Sequence, residues 1–132
     1  MNVSVTVKVS KDVIKDLLTG AIEGGSNYWG LFRCDPAYES SITPESSKEY
    51  GVFEGTYFYP MYSIDHPGYC LQVRDVEDAK TYMVSYEDLE NGLKVISEKY
   101  PRFLSDIIQE NWDAETADAF MQCAVFRDII YG

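Results

Sequence analysis

A strand pattern at the front of the chain and helical patterns behind it predict an α+β fold. The expected form is an antiparallel sheet of about four strands with three to four helices packed on one face. Three observations carry this. Val3, Val5, Val7 and Val9 alternate with polar residues, the period of a half-buried strand. Two β-prone runs, Cys70–Val73 and Thr81–Val84, flank the polar stretch Asp75, Glu77, Asp78 and Lys80, as in an antiparallel hairpin. From Ser85 onward the apolar spacing changes from two to that of a helix and stays there.

Each element has a local reason. After the Val3–Val9 strand, Ser10 is a candidate N-cap with Asp12 in the first turn. Val13, Ile14, Leu17, Leu18, Ala21 and Ile22 follow at helical spacing, and Gly24-Gly25 supplies the stop. Residues 35–49 are polar, contain Pro36 and Pro44, and read as a long loop. Tyr50–Tyr59 is aromatic and β-prone, and Pro60 ends it. Asp65-His66-Pro67-Gly68 is a turn. Ser85-x-x-Asp88 resembles a capping box. Behind it Tyr86, Leu89, Leu93, Ile96 and Tyr100 share one helical face, and Glu90 and Lys94 are an expected i,i+4 pair. Gly92 costs this helix about 1 kcal/mol relative to alanine, which implies close packing there. Pro101 starts a short helix through Phe103, Leu104, Ile107 and Ile108. Asp113 caps a last helix with Glu115 in its first turn and Ala117, Phe120, Met121, Ala124, Val125 and Ile129 on its apolar side.

The 132 residues make one domain, 1–132, large enough to fold without a metal or a disulfide. Three cysteines, Cys34, Cys70 and Cys123, are widely spaced, and there is one histidine. That composition predicts no disulfide framework, no metal site and no cofactor, and it suits a reducing cytoplasm. The N-terminal run lacks a signal peptide's basic start and apolar core, and no apolar stretch approaches the length of a membrane span.

Charge is the dominant functional clue. Asp plus Glu number 22 against 11 Lys plus Arg, a formal net charge of -11, yet 45% of residues are hydrophobic and 14% aromatic. A disordered acidic tail lacks that apolar content. A folded acidic surface repels nucleic acid and anionic membrane and attracts basic protein surfaces. The charge concentrates between Asp75 and Asp118, where twelve acids face four bases. The candidate partner-binding band is therefore Asp75, Glu77 and Asp78 on the hairpin turn, Glu87, Asp88 and Glu90 at the start of the next helix, and Glu110, Asp113, Glu115 and Asp118 around the start of the last. The plainer explanation is that acids suit helix N-termini and keep a small domain soluble.

A second candidate is Tyr28-Trp29 behind Gly24-Gly25, where adjacent aromatics can anchor an interface or fold back onto the core. Asp65-His66 with Cys70 has the residue types of an activated thiolate, but its spacing is that of a turn, so no catalytic residue is assigned. Tyr57, Tyr59, Tyr62 and Tyr69 could stack bases, but the basic groove that single-strand binders need is missing.

The runs LLTGAIEGGSNYW, DLENGLKVISEKYP and DAETADAFMQCAVFRDIIYG together resemble a family of small proteins encoded by bacteriophages and mobile elements. The likeness covers roughly residues 3–29 and 81–132. Phe126-Arg127-Asp128 stands where that family has Phe-Gly-Glu. The family has no assigned activity, so the resemblance implies context and no site: a small accessory protein acting in the cytoplasm of a bacterial host. Small acidic proteins of this origin often inhibit host defence stoichiometrically, anti-CRISPR proteins among them, some by imitating DNA. The expectation is a non-enzymatic module that binds a basic protein surface, such as a host nucleic-acid-binding effector, and binds neither nucleic acid directly nor membrane. The rivals are a phage scaffold protein using an apolar Tyr28-Trp29 patch and a small enzyme. The oligomeric state is not legible in the sequence.

Overall fold

The computed structural model describes residues 1–34, 64 and 69–132. The described residues form an α+β fold, with a three-stranded antiparallel sheet and four α-helices among them. The helices are α1 (Lys11–Gly20), α2 (Tyr86–Lys99), α3 (Pro101–Ile108) and α4 (Ala114–Phe126). The strands are β1 (Gly30–Cys34), β2 (Leu71–Asp75) and β3 (Thr81–Val84), in the order β1-β2-β3. Gly30 pairs with Asp75 and Cys34 with Leu71; Leu71 pairs in turn with Val84 and Arg74 with Thr81.

Local sequence sets the helix starts. Ser10, Ser85 and Asp113 each accept the N–H of the residue three positions on, satisfying a donor that has no partner inside the helix. At Ser85 the box is complete, because the Asp88 carboxylate accepts the Ser85 N–H in return at 2.8 Å. Pro101 occupies the first turn of α3, where its missing N–H costs nothing. α1 does not stop at its glycines; it widens into a π-helical turn, Ala21–Gly25.

The core is built from one face of the sheet and the inner faces of the helices. Phe32, Leu71, Val73 and Val84 point inward from the strands; Leu17, Leu18, Leu89, Ile96, Phe120 and Met121 meet them from the helices. α4 is buried along most of its length and makes its largest contact with α2. Gly92 explains how closely they approach: a Cβ there would lie 2.8 Å from the Ala124 nitrogen. On the outer face of the sheet Leu31 and Met83 are exposed.

Three expectations change. Residues 1–10 form no strand, and Val3 and Val5 are 75% and 77% exposed. An alternating pattern becomes a strand only when a neighbour takes its N–H and C=O groups, and this segment lies clear of the sheet. The third strand is instead β1, a short run that no clear alternation announced. The Glu90–Lys94 pair is not made: among the described residues both side chains stand outside the ion pairs. The Tyr50–Tyr59 strand, the 35–49 loop, Tyr57, Tyr59, Tyr62 and the Asp65-His66 turn lie outside the described residues.

Candidate functional site

The candidate site is built on an aspartate in the middle of α4, which shares its hydrogen-bond network with Gln122 on the same helix. Asp118 is only 9% exposed and accepts four hydrogen bonds. Ser26 Oγ donates to Oδ1 at 2.8 Å and Trp29 Nε1 to the same oxygen at 2.7 Å. Tyr28 Oη donates to Oδ2 at 2.6 Å and Gln122 Nε2 at 3.0 Å. Among the described residues its hydrogen-bond donors are all neutral groups, which satisfy the buried carboxylate oxygens. Gln122 reaches it because residues four apart share a helical face.

Ser26, Tyr28 and Trp29 converge on Asp118 because the π-helical turn delivers the chain against the start of α4. A Cβ on Gly25 would come within 2.6 Å of the Ala114 carbonyl oxygen, so glycine is what permits the approach. Ser26 Oγ and the Trp29 indole are then buried, while the Tyr28 ring remains 51% exposed with its hydroxyl fixed. Burial first, and then the Asp118 carboxylate, push the Tyr28 hydroxyl up to about 12.

Gln122 extends the network to the chain that follows α4. Its Oε1 accepts Ile130 N–H at 2.8 Å and Tyr131 N–H at 2.9 Å. That segment leaves α4 through Arg127, which sits in the left-handed region at φ 61°. Tyr131 then stacks on Trp29, with ring centroids 5.8 Å apart and planes 24° apart, and Phe126 packs on both. The Tyr131 hydroxyl donates at 2.6 Å to Asp75, a fully buried carboxylate whose other oxygen accepts the Glu77 N–H.

Two further tyrosines pair with aspartates in the same way. The Tyr100 hydroxyl donates to Asp128, and Tyr82 to Asp78 at 3.3 Å. The Tyr100 bond, helped by the Ile129 N–H, holds the Asp128 carboxyl below its usual range. Among the described residues four acids thus fix tyrosine hydroxyls.

These contacts divide the predicted acidic band. Asp75 and Asp118 are interior groups and leave the surface; both were expected on it, and the buried donors that hold them are the reason they are not. Trp29 leaves it as well, at 1% exposure. Asp113 is a helix cap and Asp78 an acceptor within the hairpin turn. Asp88 serves the capping box and also meets Arg127 at 2.5 Å; burial opposes its ionisation, but these bonds hold it below the ordinary range. Glu115 pairs with Arg102 at 3.0 Å. Glu77, Glu87, Glu90 and Glu110 are exposed and stand outside the ion pairs among the described residues. Of the Asp–His–Cys set only Cys70, half-buried, is described. Burial pushes the Cys123 thiol up to about 12, which suits a core residue rather than a nucleophile.

Beside the Asp118 network lies a cleft of about 920 Å³, between the end of the π-helical turn, the α2–α3 junction and the chain after α4. Tyr28, Tyr100, Phe103 and Tyr131 line it, with Lys99 and Arg102 on the rim and Asp118 beneath. This cleft was not legible in the sequence, because the wall that carries Tyr28 is far along the chain from the walls that carry Tyr100 and Tyr131. Among the described residues no set of three His, Cys, Asp or Glu side chains could hold a metal ion, and no helix is long and apolar enough to cross a membrane. No family model, curated protein or solved structure matches the chain.

Proposed function

We propose that the protein is a small acidic accessory protein of a phage or mobile element. It binds a basic surface on a host nucleic-acid-binding complex, such as a CRISPR effector, and blocks that surface without chemistry. The observation that supports this reading is the charge left over once internal duties are subtracted. The total formal charge is -11. Setting aside the two buried acids Asp75 and Asp118 still leaves -9, because Asp88 and Glu115 are offset by Arg127 and Arg102, and Glu77, Glu87, Glu90 and Glu110 are exposed. The hairpin tip and the start of α2 flank the four-residue strand β3, so Asp78 and Glu87 lie at opposite ends of a stretch of roughly 13 Å. Duplex DNA carries a charge per about 1.7 Å of axis. The resemblance is therefore to the sign and reach of the phosphate field, not to its spacing. Such a surface steers association with a Lys/Arg-lined cleft.

The test is capture from a bacterial host lysate by the wild type and by a variant carrying Glu77→Lys, Glu87→Lys, Glu90→Lys and Glu110→Lys, whose side chains stand outside the ion pairs among the described residues. The expected result is retention of a nucleic-acid-binding complex by the wild type, its release by duplex DNA, and its loss with the variant. Equal capture by both proteins, or capture that DNA does not disturb, contradicts the reading.

One observation favours a second reading. The Tyr28 ring is half exposed yet fixed by a 2.6 Å bond to a buried carboxylate. A rigid exposed aromatic loses little entropy on contact and suits an anchor. In that reading Tyr28, without Trp29, carries an interface of a phage scaffold protein.

A further inference from the structure

We propose that the cleft beside Asp118 takes an arginine side chain of the basic partner, its guanidinium lying against the rings of Tyr28 and Tyr100. This rests on the charge-driven reading above and adds to it a specific anchor.

Ring chemistry supports it first. A cation is drawn to the face of an aromatic ring by the ring's quadrupole. Tyr28 and Tyr100 both line the cleft, and each donates its hydroxyl to a carboxylate, Asp118 and Asp128. A phenol polarised toward an anion has a more electron-rich ring, since linked hydrogen bonds polarise one another. Both hydroxyls are thereby fixed, so the rings do not need to be ordered at the moment of binding.

Charge supports it next. Lys99 lies 3.6 Å from Asp128, and Arg102 lies 3.0 Å from Glu115, so the two rim cations already face anions. Among the described residues no cation bonds to the Asp118 carboxylate beneath, Asp128 adds a carboxylate beside Lys99, and the chain as a whole carries a formal charge of -11. An anionic ligand would have to displace Asp128 or Glu115, whereas a cationic one meets a residual negative field.

The chain itself displays the contact. The Arg102 guanidinium lies 4.5 Å from the centroid of the Phe103 ring while bonding to Glu115. This wall therefore accommodates a stacked guanidinium. Arginine is favoured over lysine because its planar group stacks on aromatic faces and is less tightly hydrated. The cleft volume falls within the range of roughly 300–1,000 Å³ common to ligand sites.

The experiment is an NMR titration of the full chain with a short oligo-arginine peptide and an oligo-lysine peptide of equal length, at fixed low salt. The expected result is that oligo-arginine shifts the signals of Tyr28, Tyr100 and Gly25 and binds about fivefold or more tighter than oligo-lysine. Tyr100→Leu lowers the oligo-arginine affinity by about tenfold, the loss of one cation–ring contact, and leaves oligo-lysine nearly unchanged. Tyr100→Phe, which keeps the ring, retains most of the affinity and guards against a merely structural effect of the leucine variant. If the two peptides bind equally and shift only the hairpin turn and the start of α2, the cleft is not the anchor while the charge-driven reading stands. If neither peptide binds, both are overturned.

Discussion

Asp118 ties one end of the molecule together, because four donors, three from the segment 26–29 and one from α4 itself, end on its two oxygens. Asp118→Asn keeps the size but replaces one acceptor oxygen with a donor among donors. At least one of the Trp29, Ser26, Tyr28 and Gln122 groups is then buried without a partner. The expected loss is about 3 kcal/mol in denaturant unfolding, with the Trp29 emission changed because its indole N–H is freed. Tyr28 gives a second outcome at this scale. Its folded pKa of about 12 lies above the ordinary 10.0. The folded state therefore keeps a proton that the unfolded state gives up. That stability is complete below pH 10 and is lost as pH rises toward about 12. Tyr28→Phe should be less stable at neutral pH and show a shallower decline across that window. A decline as steep as that of the wild type would mean that the hydroxyl does not titrate as described. Tyr82, Tyr100 and Tyr131 are shifted in the same direction, so the slope is reduced and not abolished.

Among the elements, the crossing of α2 and α4 is the most demanding contact. Alanine is the better helix former, and Gly92→Ala would gain about 1 kcal/mol in an isolated helix. Here its methyl would press on the Ala124 backbone, with contacts of 2.8 Å and 2.9 Å. The sign reverses, and thermal unfolding should show a net loss of about 1–3 kcal/mol. The need for close packing at Gly92 was legible in the sequence because glycine in mid-helix is costly. The helix starts at Ser10, Ser85, Pro101 and Asp113 were legible for a related reason: a cap acts on a residue three positions away. Strand pairing is not local. The Val3–Val9 alternation was expected in the sheet and lies outside it, while β1, with little pattern of its own, forms because β2 supplies its ladder. The candidate site was least legible. Ser26 and Asp118 are 92 residues apart. An aspartate on a helix with a polar neighbour looks like a surface acid until the fold brings an indole, a phenol and a hydroxyl to it. Tyr28 and Trp29 read as a pair, and the fold separates them, burying the indole and leaving the phenol ring at the cleft.

For the molecule as a whole, the negative charge serves two purposes. Part of it is structural, consumed by buried networks, caps and tyrosine pairs. The rest is exposed and sets what the protein can meet in solution. Composition alone signalled the excess but not this division, because the same residue type occupies both settings. An interaction carried by the exposed share weakens with salt, since counterions screen exposed charges beyond about 8–10 Å at physiological strength. The buried share is nearly insensitive to salt, so the fold should persist through the same range. The decisive measurement is the affinity of the protein for a purified CRISPR effector complex as monovalent salt rises from about 50 to about 200 mM. A fall of at least about tenfold is expected, with the Glu77, Glu87, Glu90 and Glu110 reversal variant weak at every salt concentration and unfolding of the free protein unchanged. An affinity that holds constant across that range, or a reversal variant that binds as tightly as the wild type, would contradict a charge-driven function.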